Sequence, residues 1–151
     1  MKLEFRLAGH GRLKRLAGSL DRARRLAAMR MAETYTEETL AYIKNRRPFI
    51  PRTGHLEQSV QWQPRGETSA VVSAGAEYAP WVEYGTRPHL IRPRPGRRAL
   101  RFFVNGRAII RPEVMHPGTR PRPFFFADQD WRRRGMLAAA KEAVAKTLRE
   151  A

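Results

Sequence analysis

The order of apolar and polar positions divides the chain into helical, strand-like and proline-broken stretches. In Lys2–Leu7, Leu3, Phe5 and Leu7 fall on one side, the period-two pattern of a short strand, and Gly9 and Gly11 interrupt it. Leu13, Leu16 and Leu20 follow at helical spacing, and Gly18-Ser19 predicts a kink or gap before a second helix. Asp21 then stands in a first turn, where the helix dipole favours a negative charge. From about Leu20 to Arg46 the chain is rich in Ala, Leu, Met, Arg and Glu and has no Gly or Pro, which predicts a long helix. Its apolar positions Leu20, Ala23, Leu26, Ala27, Met31, Leu40 and Ile43 are too spread for one narrow stripe. A helix covered on two sides, by a sheet and by a neighbouring subunit, would have this pattern, and so would an ordinary core helix.

Pro48 and Pro51 end that helix. In Arg52–Val60, Thr53 is placed to cap a short helical turn that Leu56 and Val60 anchor at i, i+4. Val60–Gln63 and Thr68–Ala74 read as two strands joined through Pro64-Arg65-Gly66, a hairpin. Tyr78–Pro88 is punctuated at both ends. Pro80 suits a helix start, Gly85 a left-handed stop, and Pro88 holds Arg87 extended. Tyr78, Trp81 and Val82 share one face of this helix, and that face is expected in the core. A buried Trp81 would make Trp81→Ala cost about 3–5 kcal/mol.

Gly85-Thr86-Arg87-Pro88 recurs as Gly118-Thr119-Arg120-Pro121, so the intervening residues read as an excursion over about 89–117. Within it, Arg92-Pro93-Arg94-Pro95-Gly96-Arg97-Arg98 is a stiff cationic loop that fits neither helix nor central strand. Asn105-Gly106 between Ala99–Val104 and Arg107–Arg111 is the preferred two-residue hairpin turn. Such a hairpin, with Phe102, Phe103, Ile109 and Ile110, is not stable alone and is expected to pack on the body of the protein or between subunits. After Phe124-Phe125-Phe126, Asp128 and Asp130 suit a helix start, and Met136, Ala140, Ala143, Val144 and Thr147 supply an apolar face flanked by Leu137 and Leu148.

Length and composition change this picture in four ways. A chain of 151 residues fits a single domain, 1–151, with room for one core. The absence of cysteine excludes disulfides and thiol chemistry and argues against a zinc site. No stretch approaches the length of a membrane span and no apolar leader opens the chain, so a soluble, intracellularly made protein is expected. Finally, 30 Lys and Arg against 14 Asp and Glu leave a net charge of +16, which calls for an acidic partner, either nucleic acid or protein.

Candidate chemistry is sparse. The sequence has no phosphate-binding glycine loop, nucleophile elbow or paired-histidine metal motif. Glu37-Glu38 reads as a solvated helix face and Glu83 as an arginine partner. His89 and His116 flank the two Gly-Thr-Arg-Pro copies and are expected to meet in space, without the further ligands that a metal needs. Arg92, Arg94, Arg97, Arg98 and Arg101, and Arg132, Arg133 and Arg134 beside Trp131, could track phosphates. Equally, they could keep exposed surfaces soluble.

Four segments, in order, resemble one family. They are the N-terminal strand and long Ala/Glu/Arg helix; Pro51-Arg-Thr-Gly-His-Leu-Glu-Gln-Ser-Val60; Tyr78-Ala-Pro-Trp-Val-Glu-Tyr-Gly-Thr86; and His116-Pro-Gly-Thr-Arg-Pro-Arg-Pro-Phe-Phe125. The chain resembles the phage morphogenesis proteins of tail completion and head–tail joining in long-tailed bacteriophages. Phe126-Ala127-Asp128 departs from the Arg-Pro-Ala usual there. The resemblance implies an α+β fold: a long N-terminal helix on a small antiparallel sheet, a β-hairpin insertion and a C-terminal helix. It marks Thr53, Gly54, Leu56, Tyr78, Trp81, Val82, Glu83, Gly85, Thr86, Gly118, Pro123 and Phe124 as motif and structural-core residues. It also implies a non-enzymatic virion protein of the tail or neck, made in the host cytoplasm, without cofactor, metal or membrane contact. Such a protein would form a ring, as a hexamer, with tail-tube or terminator proteins and head connector proteins. Its arginines would face acidic subunits or the DNA in the lumen.

Overall fold

The computed structural model describes residues 10–150, so the strand expected at Lys2–Leu7 lies outside the described residues. Ten elements follow in order: α1 (His10–Arg46), α2 (His55–Gln58), β1 (Val60–Pro64), β2 (Ala70–Ala74), α3 (Ala79–Tyr84), β3 (His89–Ile91), β4 (Leu100–Val104), β5 (Arg107–Arg111), β6 (Val114–His116) and α4 (Gln129–Arg149). The fold is α+β. The long helix packs against a small antiparallel sheet, strand pairs form the insertion, and a helix closes the chain. The elements gather into two compact units. One holds α1, α2, β1, β2 and α4; the other is Glu77–Pro123.

In the helical unit α1 runs without a break through Gly18-Ser19, contrary to the expected gap. A Cβ at Gly18 would meet nothing within 4 Å, and the Ser19 hydroxyl donates to Arg15 O at 2.8 Å. One glycine costs a helix only about 1 kcal/mol, too little to interrupt a run with good helix formers on both sides. The helix ends where Arg47, at φ 46°, donates its N–H to Ile43 O (3.0 Å) just before Pro48, which has no N–H to continue the ladder.

α1 is covered on two sides, by the β1–β2 hairpin and by α4. The second cover is the chain's own C-terminal helix; a neighbouring subunit there was one of the two readings the apolar pattern allowed. The buried side chains of α1 are short: Ala23, Ala32, Thr36, Thr39 and Ile43. Short side chains let two helices approach closely, at the cost of burying hydroxyls. Each buried hydroxyl is satisfied by the preceding turn: Thr36 donates to Ala32 O (2.9 Å), Thr39 to Tyr35 O (2.7 Å) and, on α4, Thr147 to Ala143 O (2.9 Å). Thr147 is buried while Met136, Ala140, Ala143 and Val144 are half-buried, so the expected α4 face does point inward.

The Pro51–Val60 motif has a local reason. Gly54 precedes α2 at φ 69°, a backbone position that favours glycine, and His55 N–H reaches Thr53 Oγ1 only at 3.4 Å. Leu56 and Val60 are buried, as their spacing required. β1 and β2 pair antiparallel from Val60↔Ala74 through Trp62↔Val72 to Pro64↔Ala70. The second strand begins at Ala70 because the connection is longer than expected, closed by Arg65 N–H donating to Ser69 O at 2.8 Å.

Candidate interaction surfaces and the residues that brace them

A central brace of the helical unit is Arg132, which is 0 % exposed. It donates to Phe124 O (2.8 Å), to Thr39 Oγ1 (3.0 Å) and to Phe125 O, and its guanidinium lies over the rings of Tyr35 (5.2 Å) and Tyr42 (5.3 Å). Tyr35 also donates its hydroxyl to Phe125 O at 2.5 Å, and Phe124 meets Phe49 edge-on at 5.6 Å. One arginine thus fastens the Phe124-Phe125 turn to α1. Its Nε and Glu38 Oε2 are buried without a hydrogen bond, and the Glu38 carboxyl occupies the space where Gly135 has no Cβ. Burial pushes the Glu38 carboxyl above its ordinary value; the Arg132 guanidinium opposes that shift and Glu37 adds to it. Arg132 is therefore not a nucleic-acid contact. On a helix each successive residue turns by about 100°, so of three adjacent arginines one faces inward while Arg133 and Arg134 stay exposed beside the 53 % exposed Trp131.

An open apolar cleft of about 760 Å³ lies on the same unit, lined by Met31, Tyr35, Val72, Phe126, Met136 and Leu137, with Asp130 and Arg133 among its polar groups.

In Glu77–Pro123 the two Gly-Thr-Arg-Pro copies pair with each other. Thr86 N–H donates to Thr119 O (3.0 Å) and Thr119 N–H to Thr86 O (3.1 Å), with the two hydroxyls 3.2 Å apart. Gly85 (φ 71°) and Gly118 (φ 84°) flank this bridge, and a Cβ on either would run into the carbonyl of the opposite threonine. That contact gives the repeat its physical reason: each copy supplies a threonine to pair and a glycine to let the other in. Arg122 N–H donates to Val82 O at 2.9 Å, tying the second copy to α3.

The excursion is a set of nested antiparallel pairs about one turn. Beyond the Thr86–Thr119 bridge come β3–β6 (His89↔His116, Leu90↔Met115, Ile91↔Val114) and then β4–β5 (Leu100↔Arg111 to Val104↔Arg107). Asn105 (φ 48°) and Gly106 (φ 77°) make the tight turn as expected. One side carries the cationic Arg92–Ala99 loop between its ladders where the other has only Pro112 and Glu113.

His89 and His116 do meet, with ring centroids 5.1 Å apart. Each Nδ1 is engaged locally: His89 Nδ1 lies 2.9 Å from Arg87 O, and His116 Nδ1 accepts from Gly118 N–H at 3.0 Å. The second bond leaves the His116 proton on Nε2, so that nitrogen is no ligand in this tautomer. Among the described residues no group of three or more His, Asp and Glu is placed to hold a metal ion. No helix among them is long and apolar enough to cross a membrane.

The expected motif-and-core residues divide. Leu56, Glu83 and Phe124 are buried, and Gly54, Val82, Gly85, Thr86 and Gly118 are half-buried. Thr53, Tyr78, Trp81 and Pro123 are exposed. The aromatic face of α3 is thus not the core face, and Trp81 is 61 % exposed. Helical spacing puts Tyr78, Trp81 and Val82 together but cannot say which way they look. Ala79 and Glu83, also i, i+4, are the buried face.

On the β4–β5 hairpin, Phe102 and Ile109 are half-buried partners on one face. Phe103 (65 % exposed) and Ile110 (64 %) share the other, where the Arg101 guanidinium lies 5.5 Å from the Phe103 ring. Arg92, Arg94, Arg97 and Arg98 are exposed, with Arg92 Nε 3.6 Å from Glu113. Sequence reasoning missed Met115, 66 % exposed and opposite the exposed Leu90. In a three-residue strand no alternation was long enough to mark it.

These features define a class: a braced helix-and-hairpin body and an arginine-rich β ribbon, both presenting apolar surface. Within that class, residues 11–85, from α1 through the end of α3, match the family described as "Bacteriophage HK97-gp10, putative tail-component". No curated protein and no solved structure matches the chain.

Proposed function

We propose that this protein is a non-enzymatic structural component of the head–tail junction of a long-tailed bacteriophage. In this reading it is a tail-completion or head–tail-joining subunit that closes into a ring with tail and connector proteins. The observation that carries the reading is the match of α1 through α3 to a phage tail-component family. Two surface features support it. The helical unit keeps an apolar cleft open between its long helix, hairpin and C-terminal helix. The ribbon sets Phe102, Phe103, Ile109 and Ile110 among exposed arginines, the composition of a subunit or partner boundary. In a closed ring modest contacts repeat at every boundary, so no single one has to be large.

Light scattering of the purified protein at low and high salt, with electron microscopy of the same sample, tests this reading. A salt-resistant closed ring, expected as a hexamer, is the supporting outcome. A monomer at both salts that retards duplex DNA would favour a second reading, a basic nucleic-acid-binding module. Arg133 and Arg134 beside the exposed Trp131 are the observation behind that alternative.

A further inference from the structure

We infer that the Glu77–Pro123 ribbon docks on an acidic protein surface with an apolar centre, and on neither nucleic acid nor a second copy of this chain. The inference rests on reading the protein as an assembly component and names the partner of one of its surfaces.

Charge sets the sign of the partner. Between Arg87 and Arg122 stand ten arginines and one acidic residue, Glu113. Glu113 lies 3.6 Å from Arg92, and both side chains are more than half exposed, so one carboxylate leaves the ribbon strongly cationic. The rest of the chain is no counterpart for it. Only ten of the 30 basic residues and three of the 14 acidic ones lie in Glu77–Pro123, so the remainder also carries more base than acid. Copy against copy would bring like charges together, which opposes binding and slows encounter.

Apolar exposure sets the class. Phe103, Val104 and Ile110 on the hairpin, and Leu90, Ile91 and Met115 on β3–β6, are all exposed large hydrophobics. Leu90 and Met115 are direct cross-strand partners and so lie on one face. A phosphate backbone offers nothing to Ile110, Met115, Val104 or Leu90; their burial is favourable only against other apolar side chains. Phe103 is the one aromatic among them, and Arg101 lies over its ring. Phe103 with Ile110, and Leu90 with Met115, are exposed apolar pairs on a ribbon rich in arginine, the composition of a protein interface, in which arginine is enriched and the centre excludes water.

The test is fluorescence anisotropy of the full chain with three labelled probes: a short peptide alternating Glu and Leu, poly-glutamate of equal charge, and a short duplex DNA. The Glu/Leu peptide is expected to bind about tenfold or more tightly than poly-glutamate, the equivalent of burying one large side chain. Phe103→Ser with Ile110→Ser should erase that advantage and leave poly-glutamate binding unchanged. Arg94→Glu with Arg98→Glu, which leaves both ladders intact, should weaken both peptides. Equal binding of the two peptides, or tighter binding of the duplex, would overturn the inference. So would a solution mass that falls when Phe103 and Ile110 are replaced, because the ribbon would then be a contact between copies. Ring formation is read separately from the wild-type mass, so failure of the ring leaves this test intact.

Discussion

The helical unit and the ribbon reach stability by opposite means. In the first, a 0 % exposed arginine, back-bonded threonines and aromatic edges hold α1, α4 and the Phe124-Phe125 turn together from inside. In the second, backbone pairing does most of the work, with a reciprocal Thr86–Thr119 bridge, two short ladders and a tight turn, while large apolar side chains face water. A unit held by side-chain packing commits part of its apolar surface to its core and, here, leaves part of the rest in one open cleft. A unit held by backbone pairs can keep that surface free for a partner. Two-stranded ribbons are marginal by themselves, so the ribbon depends more heavily on its glycines than a packed core would.

The sharpest way to break the comparison is at Arg132. Arg132→Met should cost about 3–5 kcal/mol, because it removes three buried hydrogen bonds, to Phe124 O, Phe125 O and Thr39 Oγ1, together with the positive charge beside Glu38. Denaturant unfolding measures it, and a loss under about 1 kcal/mol would show that the bracing is not energetic. Next is Gly118→Ala, which meets both a positive φ and the Thr86 carbonyl, at an expected cost of about 1–3 kcal/mol. Amide hydrogen exchange should then accelerate at Thr86 and Thr119 and stay unchanged along α1. Equal acceleration in both would merge the two regions into one cooperative unit.

Glu38 gives a smaller, signed effect. Its carboxyl titrates above its ordinary value in the fold, chiefly through burial, so between the unfolded and folded values the native state holds the extra proton. Stability contributed there is present at lower pH and falls as pH rises through that window. Glu38→Gln should flatten this dependence and leave neutral-pH stability unchanged or higher; a fall at neutral pH would mean that attraction to Arg132 outweighs burial. The smallest effect belongs to Trp81→Ala. With 61 % of Trp81 exposed, the loss should stay below about 1 kcal/mol, well short of a buried tryptophan's cost. A loss of several kcal/mol would put α3's aromatic face back in a core.

Much of the architecture was legible because short-range chemistry dictated it. Asn105-Gly106 specifies a turn that needs two positive φ angles, and Leu56 and Val60 at i, i+4 specify an anchored turn, although Gly54 stands at its N-cap where Thr53 was expected to cap it. The Gly-Thr-Arg-Pro repeat announced two similar backbone paths, though not that they would bond each other. Gly18-Ser19 misled because a break is a competition that the long flanking helix won. Arg132, Arg133 and Arg134 look alike in sequence, yet one is fully buried and the other two are exposed.

By itself, then, the sequence determined most of the helix, strand and turn segments, where charge accumulates, and which residue pairs share a face. These follow from backbone preferences and periodicity within a few residues. Only the tertiary structure decided which faces turn inward: α4 as the second cover of α1, Ala79 and Glu83 over Trp81, Arg132 over its neighbours. Burial depends on what arrives from distant parts of the chain, and periodicity carries no sign for inside or outside.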